Sequence, residues 1–289
     1  MRAMAGGALD LRLRWCGAAH YQLRLGDTLA LIDPLYTRLP GGRPALSHDA
    51  EDLGRLDYIL LTHGHLDHAR DFTRLSLRYQ PTVYAPRSCL DELARARGGM
   101  APVPSREHCL DTSCGRTFSV GEIAVTPHRV GPEDLDLWFL GEMLTRPLRH
   151  GRPGAYPEGA RWLTTHLRDS CFAYHFQLGS PGPTMLFFGH LTDDVRDLES
   201  IDSVNVLALP FCPANERWST HSQYLINRFR PEVTLVHHFD DFMHPYTSAR
   251  YLDLRRYARE VRRGSPKARF FFSKFERDVT LAQIRATAD

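Results

Sequence analysis

The chain has 289 residues, 43% of them hydrophobic, which is enough to fill the core of one large α/β domain or two small ones. The formal net charge of +2 is nearly balanced, and no basic run indicates nucleic-acid binding, although every cation except Lys267 and Lys274 is an arginine. No segment has the apolar length of a signal peptide or of a membrane span, so the sequence predicts a cytoplasmic protein.

The six cysteines are scattered along the chain, which is typical of reduced thiols rather than of a disulfide scaffold. Only Cys109 and Cys114 lie close together in sequence. A disulfide or a second metal site at that pair is the alternative interpretation.

The first third of the chain resembles a β-meander that ends at Asp33 and Pro34, followed by a loop rich in Gly and Pro. The predicted elements here are strands at residues 11–15, 20–24, 28–32 and 57–61, and helices at residues 69–79 and 88–97. The strand at residues 57–61 leads directly into Thr62-His63-Gly64-His65-Leu66-Asp67-His68.

The second part of the chain again alternates strands with helices. Strands are predicted at residues 122–126, 171–178, 184–188, 204–209, 232–236 and 269–272, and helices at about residues 193–199, 220–229 and 247–263, the last one basic and amphipathic. Two β-rich halves with their own helices favour two sheets packed face to face with helices outside, and no linker separates independent domains.

The segment from Thr62 to His68 places four metal-competent side chains within six residues. In extended backbone, His63 and His65 point the same way and can bind one ion, whereas Asp67 and His68 lie where a helix begins and can face a second ion. Imidazole nitrogens with one carboxylate suit zinc, and also iron or manganese, better than calcium or magnesium. The segment therefore predicts a metal site.

Further histidines follow other predicted strands, where a sheet would bring them to the same edge. They are His128, His190 and the pair His237-His238. Each of them alone is most simply interpreted as a polar residue at the end of a strand, but together with the dense motif they are candidate ligands.

The order of these segments resembles the metallo-β-lactamase fold superfamily, in particular the branch of ascorbate-6-phosphate lactonase and N-acylphosphatidylethanolamine phospholipase D. The similar segments are Trp15-Cys-Gly-Ala-Ala-His-Tyr-Gln-Leu-Arg-Leu-Gly26, Leu31-Ile-Asp-Pro34, the complete motif from Thr62 to His68, and Val236-His-His-Phe-Asp-Asp-Phe242. The resemblance covers nearly the whole chain and implies a four-layer αββα sandwich of two mixed β-sheets with outer helices, formed by residues 1–289 as a single domain.

By this resemblance, His63, His65 and His128 would hold a first metal, and Asp67, His68 and His238 a second one. The family has a bridging aspartate in a Gly-Asp pair after a strand, and this chain has Gly189-His190 there. A neutral imidazole lacks the charge and the two oxygens of a carboxylate, so the resemblance leaves open whether one or two metals bind. Asp193 or Asp194 could partly compensate.

Several other residues are expected near the site. Asp33 is expected to hold a metal-bound imidazole through its other ring N–H, and His237 to be structural or to lie behind the ligands. His221 is either a pocket residue or part of a helix N-cap. Residues 131–168 are expected to form a lid or an insertion, whose aromatic and arginine side chains, among them Trp138, Arg146 and Trp162, would line a pocket for an anionic substrate.

These features favour a metal-dependent hydrolase with one or two zinc ions, in which His63, His65 and Asp67 carry the catalysis and Asp67 orients the nucleophile or takes its proton. The substrate would be a small molecule with a carboxylic ester (or lactone), an amide or a phosphodiester bond. The protein could also form homo-oligomers. A degenerate, non-hydrolytic metal-binding protein is the alternative, since His190 departs from the pattern. Two-iron redox chemistry is disfavoured because such enzymes usually carry an acidic residue where this chain has His65.

Overall fold

The computed structural model describes residues 11–38, 41–100, 103, 105–132, 170–211, 217–242 and 253–289. Its strands are β1 (Leu11–Trp15), β2 (Tyr21–Leu25), β3 (Thr28–Ile32), β4 (Tyr58–Leu60), β5 (Thr82–Ala85), β6 (Glu107–Cys109), β7 (Phe118–Val120), β8 (Ile123–Val130), β9 (Cys171–Gln177), β10 (Thr184–Phe188), β11 (Val206–Pro210), β12 (Val233–His237), β13 (Phe270–Phe272) and β14 (Asp278–Thr280). The helices are α1 (Leu66–Ala69), α2 (Phe72–Tyr79), α3 (Arg87–Ala96), α4 (Leu110–Ser113), α5 (Trp218–Phe229), α6 (Leu254–Gly264) and α7 (Leu281–Thr287), with 3-10 turns at Ala50–Leu53 and Arg196–Leu198.

The strands form two mixed sheets of seven strands each. The first sheet has the order β14-β1-β2-β3-β4-β5-β6, and the second has the order β13-β12-β11-β10-β9-β8-β7. In both sheets an antiparallel meander adjoins a run of parallel strands, β3 to β6 in the first and β10 to β13 in the second. The carboxyl ends of parallel neighbours meet at one edge, which is where polar ligands can converge.

The hydrophobic core has three layers. Between the sheets, residues such as Leu13, Tyr21, Phe176 and Phe187 pack into one buried cluster. A second cluster lies between the second sheet and the helices α5 and α6, and a third lies between the first sheet and the helices α2 and α3. Helices therefore cover the outer faces of both sheets, which confirms the predicted αββα sandwich.

Several local predictions differ from the structure. The prediction of a helix at residues 193–199 is wrong, because only Arg196–Leu198 forms a 3-10 turn. The Thr192 hydroxyl accepts the Asp194 N–H, and this local hydrogen bond competes with helix formation. The helix predicted at residues 69–79 is observed as α2, which begins three residues later, and the short helix α1 precedes it. Most of residues 131–168 lie outside the described part, as do residues 247–252 of the helix predicted at 247–263.

Among the described helices, none combines the length and the apolar character needed to cross a bilayer. Cys109 and Cys114 are both free thiols, as are the other cysteines within the described ranges.

Candidate metal centre

The histidine-rich motif leaves the first sheet at the end of β4, beside the end of β3. Because these strands are parallel neighbours, Asp33 and Thr62 emerge at the same edge. The Thr62 backbone N–H donates to Asp33 Oδ1 at 2.7 Å, and the Thr62 hydroxyl donates to Asp33 Oδ2 at 2.6 Å. Asp33 has a φ of +46°, in the left-handed region that aspartate adopts more readily than most residues. These contacts fix the position from which the motif starts.

The same carboxylate orients His68. Its Nδ1 lies 2.8 Å from Asp33 Oδ2, and since a carboxylate only accepts, Nδ1 carries the hydrogen. The other ring nitrogen, Nε2, lies 3.3 Å from Asp67 Oδ2, and His238 Nε2 lies 3.2 Å from that same oxygen. Asp67, His68 and His238 each offer a ligand atom, and these three atoms lie within 4.8 Å of one another. They form the arrangement of a metal site.

His63 lies next to this group and is completely buried. Its ring centroid is 3.9 Å from that of His68 and 4.4 Å from that of His65. Its Nδ1 lies 3.0 Å from the Thr62 hydroxyl oxygen, which has already given its hydrogen to Asp33, so the oxygen accepts from Nδ1. This leaves a lone pair on His63 Nε2, which is buried and has no hydrogen-bond partner among the described residues.

His190 enters the cluster from the second sheet, at the end of β10. Its ring centroid is 5.1 Å from that of His63, and its Nε2 donates to the Gly131 carbonyl oxygen at 2.8 Å. The lone pair of His190 is therefore on Nδ1. A Cβ at Gly189 would collide with the Thr62 side chain, so this glycine permits the close approach of the two sheets. The structure thus places His190 beside His63.

Burial and charge together set the protonation of the site in the absence of metal. Burial lowers the pKa of His63 well below its ordinary value, and the neighbouring His68 and His65 add to this. Burial also opposes the charge on His68, but Asp67 and Asp33 outweigh it and raise the pKa of His68 to about 10. Burial opposes the charge on Asp67 too, yet His68 and His238 hold its pKa well below the usual range. A metal would therefore displace a proton from His68.

A loop after β3 ties the motif to the segment that carries His238. The Asp71 carboxylate accepts the backbone N–H groups of Tyr36 and Thr37, both at 2.7 Å. Arg38 then pairs with Asp240 at 3.0 Å, with 7% and 1% of the two side chains exposed. Neither Arg38 nor Asp240 is predicted from the sequence, in which the position of Asp240 two residues after a candidate ligand is the only signal.

His128 is not brought to this cluster. On β8, Val125 faces the core between the sheets, so His128 lies on the opposite face of the second sheet, where its ring is 6.4 Å from that of His175. Its Nδ1 donates to the Asp197 carbonyl oxygen at 3.0 Å. Instead of His128, the structure places His190 next to His63.

His237 is buried between the sheets, where it stacks on Phe187 with ring centroids 4.9 Å apart, and burial lowers its pKa well below the usual value.

His221 lies in the first turn of α5, inside the helix rather than at its N-cap, and its Nε2 is 3.7 Å from Asp193 Oδ2. The Asp194 carboxylate, which was expected to compensate for the missing aspartate, is held by Arg196 at 2.7 Å and 2.8 Å. Trp138, Arg146 and Trp162 lie outside the described residues.

Comparison with known proteins adds to this geometry. The sequence model described as the Beta-lactamase superfamily domain matches residues 28–225. A UPF0173 metal-dependent hydrolase of Xanthobacter autotrophicus is 32% identical over 129 residues, which are 42% of this chain and 50% of that protein. One from Haloarcula marismortui is 34% identical over 124 residues, 41% of this chain and 44% of that protein. The chain spans about half the length of the curated relatives it matches.

Solved structures share the fold at low identity. Igni18, a metallo hydrolase from Ignicoccus hospitalis, superposes with a TM-score of 0.59 at 13% identity, over 93% of this chain and 97% of that one. CmlA, a diiron beta-hydroxylase from Streptomyces venezuelae, superposes with a TM-score of 0.55 at 17% identity, over 95% of this chain and 55% of that one. At these identities the likeness concerns the fold alone.

Proposed function

Because the chain belongs to the family of the Beta-lactamase superfamily domain, we propose that it is a metal-dependent hydrolase. The proposed centre consists of His63, His65 and His190 around one metal and of Asp67, His68 and His238 around a second. It differs from the set implied by the resemblance in one position, since His190 takes the place of His128.

One observation carries this proposal, namely that ligand atoms of Asp67, His68 and His238 lie within 4.8 Å of one another and that acceptor positions at and beside this group are unused. His63 Nε2 and Asp67 Oδ1 are buried and have no hydrogen-bond partner within the described ranges. An unpaired polar atom in a protein interior costs about 1 to 3 kcal/mol, so two of them at one place indicate an occupant that the side chains are arranged to bind.

The donor set indicates which occupant fits. Five imidazoles and one carboxylate are borderline-soft ligands, which zinc prefers, and iron or manganese also binds such sets. Calcium and magnesium prefer oxygen ligands throughout, and the site offers only those of Asp67. We therefore propose zinc, as one or two ions.

A bound divalent cation supplies Lewis acidity, which makes water a nucleophile near neutral pH and polarises the bond to be cleaved. The side chains of this chain do the positioning. Asp33 holds His68 directly, and through Thr62 it holds His63, so that both rings present Nε2 to the centre. Asp67 keeps one oxygen, Oδ1, available to orient an attacking water and to take its proton.

The proposed substrate class includes several types of bond. Carboxylic esters including lactones, amides and phosphodiesters all react by attack of an activated water on a polarised centre, and the centre serves each of them. An anionic substrate is favoured by the arginines expected at residues 131–168, a prediction that rests on sequence alone.

The test is to purify the protein without chelator, measure its metals by elemental analysis, and assay a lactone, an aryl ester and an aryl phosphodiester. We expect at least one equivalent of zinc and turnover of at least one probe, and we expect Asp67→Asn to remove the turnover. His175→Ala, which alters a half-buried histidine on the outer face of the second sheet, is the control and should match the wild type. Metal below half an equivalent together with no turnover would support the degenerate alternative.

A further inference from the structure

A groove that contains none of the proposed metal ligands runs along α6, between this helix, β13 and Asp289. It has a volume of about 720 Å³, within the range of sites for small ligands. It is lined by Leu254, Arg255, Ala258, Arg259, Arg262, Arg263, Phe272 and Asp289. None of these residues belongs to the proposed metal centre.

The charge of the groove is strongly one-sided. Arg255, Arg259 and Arg262 follow one another at spacings of four and three residues, which places them along one face of the helix. Four guanidinium groups line the groove against one side-chain carboxylate, and that carboxylate, of Asp289, lies 3.9 Å from Arg262.

Two of these arginines have no ion-pair partner in the described part of the chain. Arg263 pairs with Glu260, and Arg262 donates to the Ala268 carbonyl oxygen at 3.2 Å. Arg255 and Arg259 are exposed and make no such contact with the described residues, so their forked donors are available for an anion.

The floor of the groove is apolar. Ala258 is buried at 8% exposure, and Leu254 and Phe272 are half-buried and pack against the outer core of the second sheet. A ligand that covers this floor while its charge meets the arginines would remove apolar surface from water, which inorganic anions cannot do. The volume of the groove is enough to accommodate a small molecule.

We propose that this groove binds a small amphiphilic anion, with a phosphate or carboxylate held by Arg255 and Arg259 and an apolar portion lying on Leu254, Ala258 and Phe272. The proposal does not depend on the proposed hydrolase activity, because the two sites share no residue. The anion is bound and not transformed, since no described nucleophile lines the groove.

The test is calorimetric titration of the full chain with octyl phosphate, inorganic phosphate and 1-octanol. We expect octyl phosphate to bind saturably at one site per chain. Inorganic phosphate lacks the apolar portion and 1-octanol lacks the charge, so each should bind with at least about tenfold lower affinity. R255Q with R259Q should weaken octyl phosphate at least about tenfold. R78Q with R95Q removes two exposed arginines from α2 and α3 and should leave the affinity unchanged.

The His63→Ala variant separates this site from the metal centre, and it should bind octyl phosphate as the wild type does. Loss of binding in that variant would show that the anion binds at the metals and would overturn the proposal. Equal affinity of R255Q/R259Q and wild type would overturn it as well, as would binding of inorganic phosphate as tight as that of octyl phosphate. Vesicles of anionic phospholipid are titrated in parallel, and binding of vesicles without binding of octyl phosphate would show that the ligand is a membrane surface and would overturn the proposal.

Discussion

The carboxylate of Asp33 determines the tautomers of two histidines. It accepts directly from His68 Nδ1, and it accepts the Thr62 hydroxyl hydrogen, which makes the Thr62 oxygen an acceptor for His63 Nδ1. Such partners fix the ring orientation of a metal ligand and raise its basicity. Asp33 therefore supports a ligand of each proposed metal without reaching either metal itself.

We expect Asp33→Asn to weaken metal binding by about 10- to 100-fold, because the amide keeps the size of the side chain but loses the charge and one acceptor. The pKa of His68 in the metal-free protein should fall, since Asp33 is one of the groups that raise it. Chelator competition measures the first effect, and NMR titration of the imidazole measures the second. Asp278→Asn, at the exposed pair with Arg14, is the control, and an equal loss of metal affinity there would contradict the role of Asp33.

At the scale of elements, the loop after β3 joins the two sides of the site. Asp71 lies just beyond α1 and accepts two backbone N–H groups of this loop. Arg38, in the same loop, pairs with Asp240, which follows His238 by two residues. His238 itself has a φ of +60°, a conformation that surrounding contacts must maintain. Asp240 also accepts the Ala18 N–H at 2.7 Å, so three segments meet at this carboxylate.

Arg38→Ala should destabilise the protein by roughly 3 to 5 kcal/mol, because it leaves the buried Asp240 carboxylate without its partner. Arg38→Lys keeps the charge but loses the forked contacts to Cys16 and Pro44, so we expect an intermediate loss. Urea unfolding measures both. Arg55→Ala breaks an exposed ion pair with Asp57 and should change the free energy of unfolding by less than about 1 kcal/mol. A loss for Arg38→Ala no larger than this control would show that the pair is unimportant.

Sequence patterns predicted most of the strands and missed three short ones, β6, β7 and β14, for identifiable reasons. Alternation identified the meander of β1 to β3, whereas β6, β7 and β14 have three residues each, too few to show a period. The histidines at strand ends were recognised, but the side of the sheet on which His128 lies depends on the pairing of β8 with β9. The pair of Arg38 and Asp240 joins residues 202 positions apart, and no local pattern reports such a contact.

At the scale of the whole molecule, the proposed centre is built from both sheets. His63, His65, Asp67 and His68 follow a strand of the first sheet, whereas His190 and His238 follow strands of the second. Each proposed metal would be held by residues from both sheets and would link the two halves, so the folded state would gain the free energy of metal binding.

Removal of metal should therefore lower the melting temperature. Metal at about 100 times its dissociation constant stabilises the folded state by about 2.7 kcal/mol. For a chain of this size, that corresponds to a change in melting temperature on the order of 5 °C. Differential scanning calorimetry before and after dialysis against chelator measures the shift. The His63→Ala variant should show a smaller shift, and an identical shift would mean that the metal binds elsewhere.

The most direct test of the account compares His190→Ala with His128→Ala, since these residues compete for one place in the metal centre. Zinc content by elemental analysis and turnover of the reactive probe are measured for both variants. The structure predicts that His190→Ala loses metal and turnover, because its ring lies 5.1 Å from His63, and that His128→Ala keeps both, because it lies on the outer face of its sheet. Loss of metal in His128→Ala together with retention in His190→Ala would contradict the proposed centre.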